Sequence, residues 1–243
     1  MNRLQTELLR LYLPRPEDTP EDAAQPRDLI DRDGRTRALI IEVGGPADWP
    51  PIERIWMGVQ SELGLPAPAI AVSGVDGLQL WISLAEPVPL GDARAFLEAL
   101  RQRFLPDLPA RRVRLFPCTE EADRHATLVP SPQSDPERWS AFVMPDLAAL
   151  FTETPWLDIE PGVDGQADLL ARLQSIGAQA FEAARSTLAA TAPSGSSTPA
   201  STAGPSTSPG GDALEPRDFL LRVMRDRTVD LALRIEAAKA LLR

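Results

Sequence analysis

Apolar residues recur along this chain in short blocks whose period switches between two and about three and a half, and the blocks come in a definite order. Arg37-Ala-Leu-Ile-Ile-Glu-Val43 is a brief apolar run between Asp33-Gly34 and Gly44-Gly45-Pro46, which predicts a buried strand. Pro50 and Pro51 open a helix with Ile52, Ile55, Trp56, Val59 and Leu63 at helical spacing, ending near Gly64 and Pro66. Ala69-Ile-Ala-Val72 predicts a second strand. The glycine-rich turn Ser73-Gly-Val-Asp-Gly77 leads into a third, Leu78-Gln-Leu-Trp-Ile-Ser-Leu84, so the two strands should form a hairpin. A second helix carries Ala93, Phe96, Leu97, Leu100 and Phe104 on one face, and Arg112-Val-Arg-Leu-Phe116 alternates as a fourth strand. The order βαββαβ predicts an α+β fold of ferredoxin-like or RRM-like type: an antiparallel sheet with two helices on one face. Trp56 and Phe96 are expected between helix and sheet.

The flanks add helices. The N-terminal stretch MNRLQTELLRLYLPRPED intersperses charges among its apolar positions and lacks a small-residue cleavage site, which predicts an amphipathic helix rather than a leader peptide. Beyond the fourth strand, Trp139–Val143 reads as a further strand, and Asp146–Phe151 and Gln166–Ala190 as helices. Residues 191–211, TAPSGSSTPASTAGPSTSPGG, contain neither a large apolar side chain nor a charge. Such a composition cannot bury enough surface to offset its ordering entropy, so a disordered linker is expected. After it, Phe219, Leu220, Val223 and Met224, then Leu231, Ile235, Ala238 and Leu242, mark a helical hairpin over 212–243. The expected layout is a main domain at 1–190, the linker, and the hairpin.

Composition narrows the setting. No apolar run in the 243 residues is long enough to span a bilayer, and the single cysteine, Cys118, allows no intramolecular disulfide. No membrane association and a cytoplasmic location are therefore expected. The formal net charge is −10. Seven basic and six acidic residues follow residue 190, and subtracting them from 25 and 35 leaves 18 against 29 before it. An acidic main domain repels nucleic acid at long range, which speaks against a general DNA-binding protein but leaves room for a local site. Lys239 is the one lysine, so nearly all positive charge is guanidinium, suited to forked contacts with carboxylate or phosphate.

Catalytic chemistry is hard to assemble from these residues. His125 and Cys118 are isolated, and no serine or cysteine motif offers either a nucleophilic partner. One histidine and one cysteine cannot build a thiolate and imidazole zinc centre within the chain. The sequence carries no G-x-x-x-x-G-K-[ST], G-x-G-x-x-G or G-x-S-x-G. No catalytic residue, metal site or cofactor is assigned.

One constellation is more specific. Arg37-Ala-Leu-Ile-Ile-Glu-Val-Gly-Gly45, Ser73-Gly-Val-Asp-Gly-Leu-Gln-Leu-Trp81 and Val113-Arg-Leu-Phe-Pro117 follow one another in an order and spacing that resembles the archaeo-eukaryotic primase-polymerase superfamily, over roughly residues 37–117. That family has an RRM-like core with an h-D-h-D strand, an S-G-x-x-G-x-H turn and a later strand with a further acid. By the resemblance Glu42 stands at the first aspartate, Gly44 at the second and Gln79 at the histidine, with Asp107 a weak substitute for the third acid. Two-metal phosphoryl transfer needs several convergent carboxylates, so the resemblance implies a domain that has lost its chemistry. It implies a groove near Glu42, Ser73, Gly74, Gly77, Gln79, Arg112 and Arg114 that still holds a nucleotide or single-stranded nucleic acid. One alternative is an unrelated ferredoxin-like domain, in which Glu42 is a sheet-edge charge, Gln79 faces solvent, and Arg112 and Arg114 form a polar face. Another is an adaptor without a ligand site, in which Arg112 and Arg114 are scattered or ion-paired. The tail segments Asp218–Asp226 and Leu233–Leu242 resemble helices of prophage-type proteins, including small terminase subunits, which implies a protein partner bound through 212–243.

Overall fold

The computed structural model describes residues 2–15, 28–118, 126–134 and 137–191. The expected linker beyond Thr191, the expected hairpin and His125 lie outside them. The described chain is α+β. Helix α1 (Arg3–Leu11) is followed by β1 (Arg35–Gly44), α2 (Trp49–Ser61), β2 (Ala69–Val72), β3 (Gly77–Pro89), α3 (Leu90–Phe104), β4 (Val113–Phe116), β5 (Ala141–Val143), α4 (Pro145–Ala148), α5 (Val163–Ala171) and α6 (Ala178–Thr191). The strands form one open sheet in the order β4-β1-β3-β2-β5, every neighbouring pair antiparallel.

Local chemistry accounts for the boundaries. In α1, Asn2 accepts from the Gln5 amide while the Gln5 side chain accepts from the Asn2 amide, a reciprocal cap that satisfies two otherwise unpaired donors. A proline in the first turn of α2 costs no helical hydrogen bond, and Gly64, at φ +63°, reverses the chain after that helix. Gly74, at φ +84°, does the same in the β2–β3 turn.

Alternation along the strands divides the sheet into two faces, and both are covered. Leu39, Ile41, Val43, Leu78, Leu80, Ile82, Val113 and Leu115 pack under α2, α3 and α6, with Ile52, Ile55, Phe96 and Phe181 opposite them. Ala38, Ile40, Ala71, Trp81 and Phe142 face the other way, against Leu4, Leu8 and Leu11 of α1 and Ala167 and Leu170 of α5. Tyr12, Trp81 and Phe142 meet there as an aromatic trio, with ring centroids 5.2–6.2 Å apart. The expected packing of α2 and α3 on one face holds. The second face is not left open, because α1 brings an apolar stripe that needs covering.

Three details differ from the sequence reading. Arg112 lies in a 3-10 turn rather than in the fourth strand, because the amide of Val113 bonds back to Ala110 and delays the ladder. The helix expected over Gln166–Ala190 is two helices. Between them Ile176 is buried and pairs with the middle of β3, its amide donating to Ser83 and its carbonyl accepting from Ala85, both at 2.8 Å. Phe96 is buried as expected, against Phe181. Trp56 is only half-buried, its indole N–H donating 3.1 Å to the Pro68 carbonyl at the margin of the sheet.

The two edges of the sheet are treated differently. At β5 the buried Gln166 accepts from the Phe142 amide at 2.8 Å and donates to its carbonyl at 3.0 Å. One side chain thus takes the hydrogen bonds that another strand would make, which blocks that edge. Arg37 ties α1 to the sheet from within. A bulge in β1 lies between Thr36 and Ala38, and the Arg37 guanidinium donates to the carbonyls of Leu9, Arg10, Leu13 and Leu84 at 2.7–3.3 Å. Cation placement at a helix C-terminus is favourable because unpaired carbonyls and the helix dipole both meet it.

Candidate functional site

Register brings one polar row across the sheet. Arg114 of β4 stands opposite Glu42 of β1, which stands opposite Gln79 of β3, which stands opposite Ala71 of β2. All lie on the face that carries the aromatic trio. Their side chains form a chain of hydrogen bonds: the Trp81 indole donates 2.8 Å to Gln79 Oε1, and Gln79 Nε2 donates 2.9 Å to Glu42 Oε2. Arg114 Nη2 then donates to Glu42 Oε1 and, at 3.1 Å, to Asp76 Oδ1 of the β2–β3 turn.

Glu42 is 3% exposed, and Gln79 is buried as well. As an unrelated ferredoxin-like domain the chain would carry Glu42 as an edge charge and Gln79 facing solvent; both are buried instead. Burial pushes the Glu42 carboxyl above its ordinary value, because an ion loses its water there, and the nearby Asp76 adds to the rise. The Arg114 charge and the bonds from Gln79 and Arg114 oppose it. The Arg114 side chain is 54% exposed, so the pair is half in water and half in the fold. Gly77 is required beside it: a Cβ there would sit 2.7 Å from Glu42 Oε1.

The turn residues are held by one another. Ser73 Oγ accepts from the amides of Val75, Asp76 and Gly77 at 2.9–3.2 Å. The Ser73 amide donates to Gly77 and the Gly74 amide to Pro155, both at 2.9 Å. The five amides of the Ser73–Gly77 turn, which the resemblance puts at the ligand groove, are therefore all engaged. Arg112 is also drawn away from the row. It donates to the carbonyls of Gly44 and Pro46 at 3.3 and 2.7 Å and lies 3.6 Å from Asp48, bracing the β1–α2 connection. Asp107 lies between α3 and β4, off the row.

Above the row is a cavity of about 420 Å³. Glu42, Gln79 and Arg114 form its floor on the sheet. Ser73, Thr127, Gln133 and Ser140 add polar groups to the lining, and Phe116 and Val129 apolar ones. The cavity reaches the β4 edge at Val113 and Leu115, and Arg94 of α3. Of the seven residues expected at a ligand groove, four line this cavity: Glu42, Ser73, Gln79 and Arg114. Gly74 and Gly77 shape the turn behind it, and Arg112 stands apart. Sequence reasoning missed Asp76 and the lining residues Ala126, Thr127, Val129, Gln133 and Ser140. The sequence marks Asp76 only by glycines at 44 and 77; the structure shows why they are small, since Gly44 is opposite Gly77 and a Cβ on Gly44 would lie 3.3 Å from Asp76 Oδ1.

A two-metal centre does not fit these residues. Two carboxylates meet on the row, and the Arg114 guanidinium already occupies the space between them. Among the described residues no group of three or more His, Cys, Asp or Glu could hold a metal ion. No helix there is long and apolar enough to cross a membrane. Neither a family model nor a curated protein matches the chain, so a functional reading rests on the site itself.

Proposed function

We propose that this chain is a non-catalytic, primase-like binding domain with a ferredoxin-like core, which takes a nucleotide, free or at the end of a single strand, into the cavity over Glu42, Gln79 and Arg114. The observation that carries the reading is where the cavity lies. Its floor joins the two strands on which the resemblance would put catalytic groups, and its volume of about 420 Å³ is within the range of small-ligand pockets. The strand order β4-β1-β3-β2 supports a ferredoxin-like core, with β5 an addition at one edge. Arg114 explains how such a site could do without metal: its guanidinium stands between Glu42 and Asp76 as a resident cation.

Base and sugar, rather than phosphate, suit the cavity. The turn amides are engaged and Arg114 is shared between two acids, so little remains to neutralise a phosphate. Hydroxyl and amide groups of Ser73, Thr127, Gln133 and Ser140, with Phe116 and Val129 beside them, offer hydrogen bonds and an apolar wall. Calorimetry with nucleosides, nucleoside triphosphates and a short single-stranded oligonucleotide tests this. Nucleoside and triphosphate should bind within about tenfold of each other, with Arg114→Ala weakening both and Arg112→Ala neither. Chain extension on a primed template with magnesium or manganese should be absent; metal-dependent incorporation would overturn the reading. The second reading is an adaptor, favoured by the ion pairing of both Arg112 and Arg114. Absence of heat with every probe would leave the adaptor standing.

A further inference from the structure

Of the two sheet edges, Gln166 closes the one at β5, whereas at β4 no further strand pairs among the described residues. The groups pointing outward from β4 can be identified. The Val113 amide bonds to Ala110 and the Leu115 carbonyl accepts from Arg94 Nη1 at 2.9 Å, so residues 113 and 115 direct their backbone away from β1. That leaves the Val113 carbonyl and the Leu115 amide for a partner, and the Leu115 carbonyl once Arg94 swings aside. Val113, Leu115 and Arg94 all border the cavity, so there is space beside this edge.

Charge says what fits. In a chain of net charge −10, four arginines surround this short strand: Arg94 from α3, Arg111 and Arg112 just before it, and Arg114 within it. Arg112 and Arg114 are paired with acids. Arg111 is exposed and has no ion pair among the described residues, and Arg94 lies within electrostatic reach of Glu98, whose closer partner is Arg101. A second copy of this chain would oppose arginine to arginine, which is unfavourable across a strand pair. An acidic strand would not.

We infer that the outer edge of β4 is a docking edge for an extended acidic peptide of a partner protein, which joins the sheet as a sixth strand. Main-chain bonds to Val113 and Leu115 supply register, and Arg94 and Arg111 select the charge. This goes beyond nucleotide binding, and although the edge borders the same cavity it is tested separately, because the test reads the Leu115 amide and Arg111 rather than Glu42, Gln79 and Arg114.

The test uses the full chain and a short synthetic peptide alternating glutamate and valine, with a lysine-valine peptide as control. Fluorescence anisotropy should show binding of the acidic peptide that weakens with salt, and none of the basic one. Hydrogen exchange should slow at the Leu115 amide on binding. Arg94→Glu with Arg111→Glu should weaken binding at least tenfold. Arg111→Glu alone, at an exposed turn position, keeps the test valid if the double variant folds poorly, and should weaken binding several-fold. Unchanged exchange at Leu115, equal binding of the basic peptide, or absence of binding would each overturn the inference.

Discussion

Replacing Arg114 by methionine isolates the energetic role of the polar row. The substitution keeps an aliphatic stem of similar length and removes the cation, leaving Glu42 with the single bond from Gln79. Breaking a fully buried ion pair costs about 3–5 kcal/mol because one charge remains uncompensated. Arg114 is half in water, so its half of the pair is screened, and about 1–3 kcal/mol is expected at pH 8. For a domain of this size, about 2 kcal/mol corresponds to a Tm lower by roughly 4–8 °C. The sign of the pH dependence follows from Glu42. Its folded-state pKa is raised by burial, so the folded protein holds a proton that the unfolded chain has lost. Stability therefore falls as pH rises from the ordinary carboxylate value through the raised one. Without Arg114 the rise is larger and the window wider. Thermal melts should show Arg114→Met close to the unmodified protein near pH 5 and well below it near pH 8. Adding Glu42→Gln should abolish that difference. An equal loss at both pH values, or a pH dependence that survives Glu42→Gln, would refute the account of the row.

Three further perturbations address its supports. Trp81→Phe keeps the aromatic packing but leaves Gln79 Oε1 without its donor, and should cost about 1–2 kcal/mol by the denaturant midpoint, against about 3–5 for Trp81→Ala. Gly77→Ala pushes a methyl group into the Glu42 carboxylate and should cost about 1–3 kcal/mol, so an unchanged Tm would mean that the turn yields more freely than its packing indicates. Arg37→Met strips four carbonyls of their donor and should cost about 3 kcal/mol while hydrogen exchange quickens through α1, and uniform loss of protection elsewhere would contradict the clamp.

Much of the core was legible because its signals are local. The 37–43 run, the proline at the start of α2 and the turn glycines each act through a few neighbouring residues. What was illegible depends on pairing at long range. The stripe Leu4, Leu8, Leu11 shows that α1 buries something, but not that it seals the second face of the sheet. Ile176 looks like one more apolar position in a helix, yet its backbone pairs with the middle of β3 and breaks the helix in two. At the site, Glu42 and Gln79 each interrupt an apolar alternation, which marks them without saying that they meet. Only register, with Glu42 opposite both Gln79 and Arg114, turns three isolated polar residues into one network. Arg112 and Arg114 look equivalent in sequence; the 3-10 turn separates them, one into a brace and one into the cavity floor.

The most direct test of the central claim reads the row while a nucleotide is added. The Trp81 indole N–H ends the chain of hydrogen bonds that begins at Arg114, so its NMR resonance reports any change at the floor from within the core. Titration with a nucleoside triphosphate, and with the nucleoside alone, should shift the Trp81 indole and Gln79 side-chain amide signals by saturable amounts. The indole of Trp56, bonded to Pro68 on another part of the sheet, should stay still. Saturable shifts confined to the row are the expected result. Unmoved Trp81 and Gln79 signals at saturating nucleotide, or equal shifts at Trp56, would contradict the claim that this cavity is a nucleotide site.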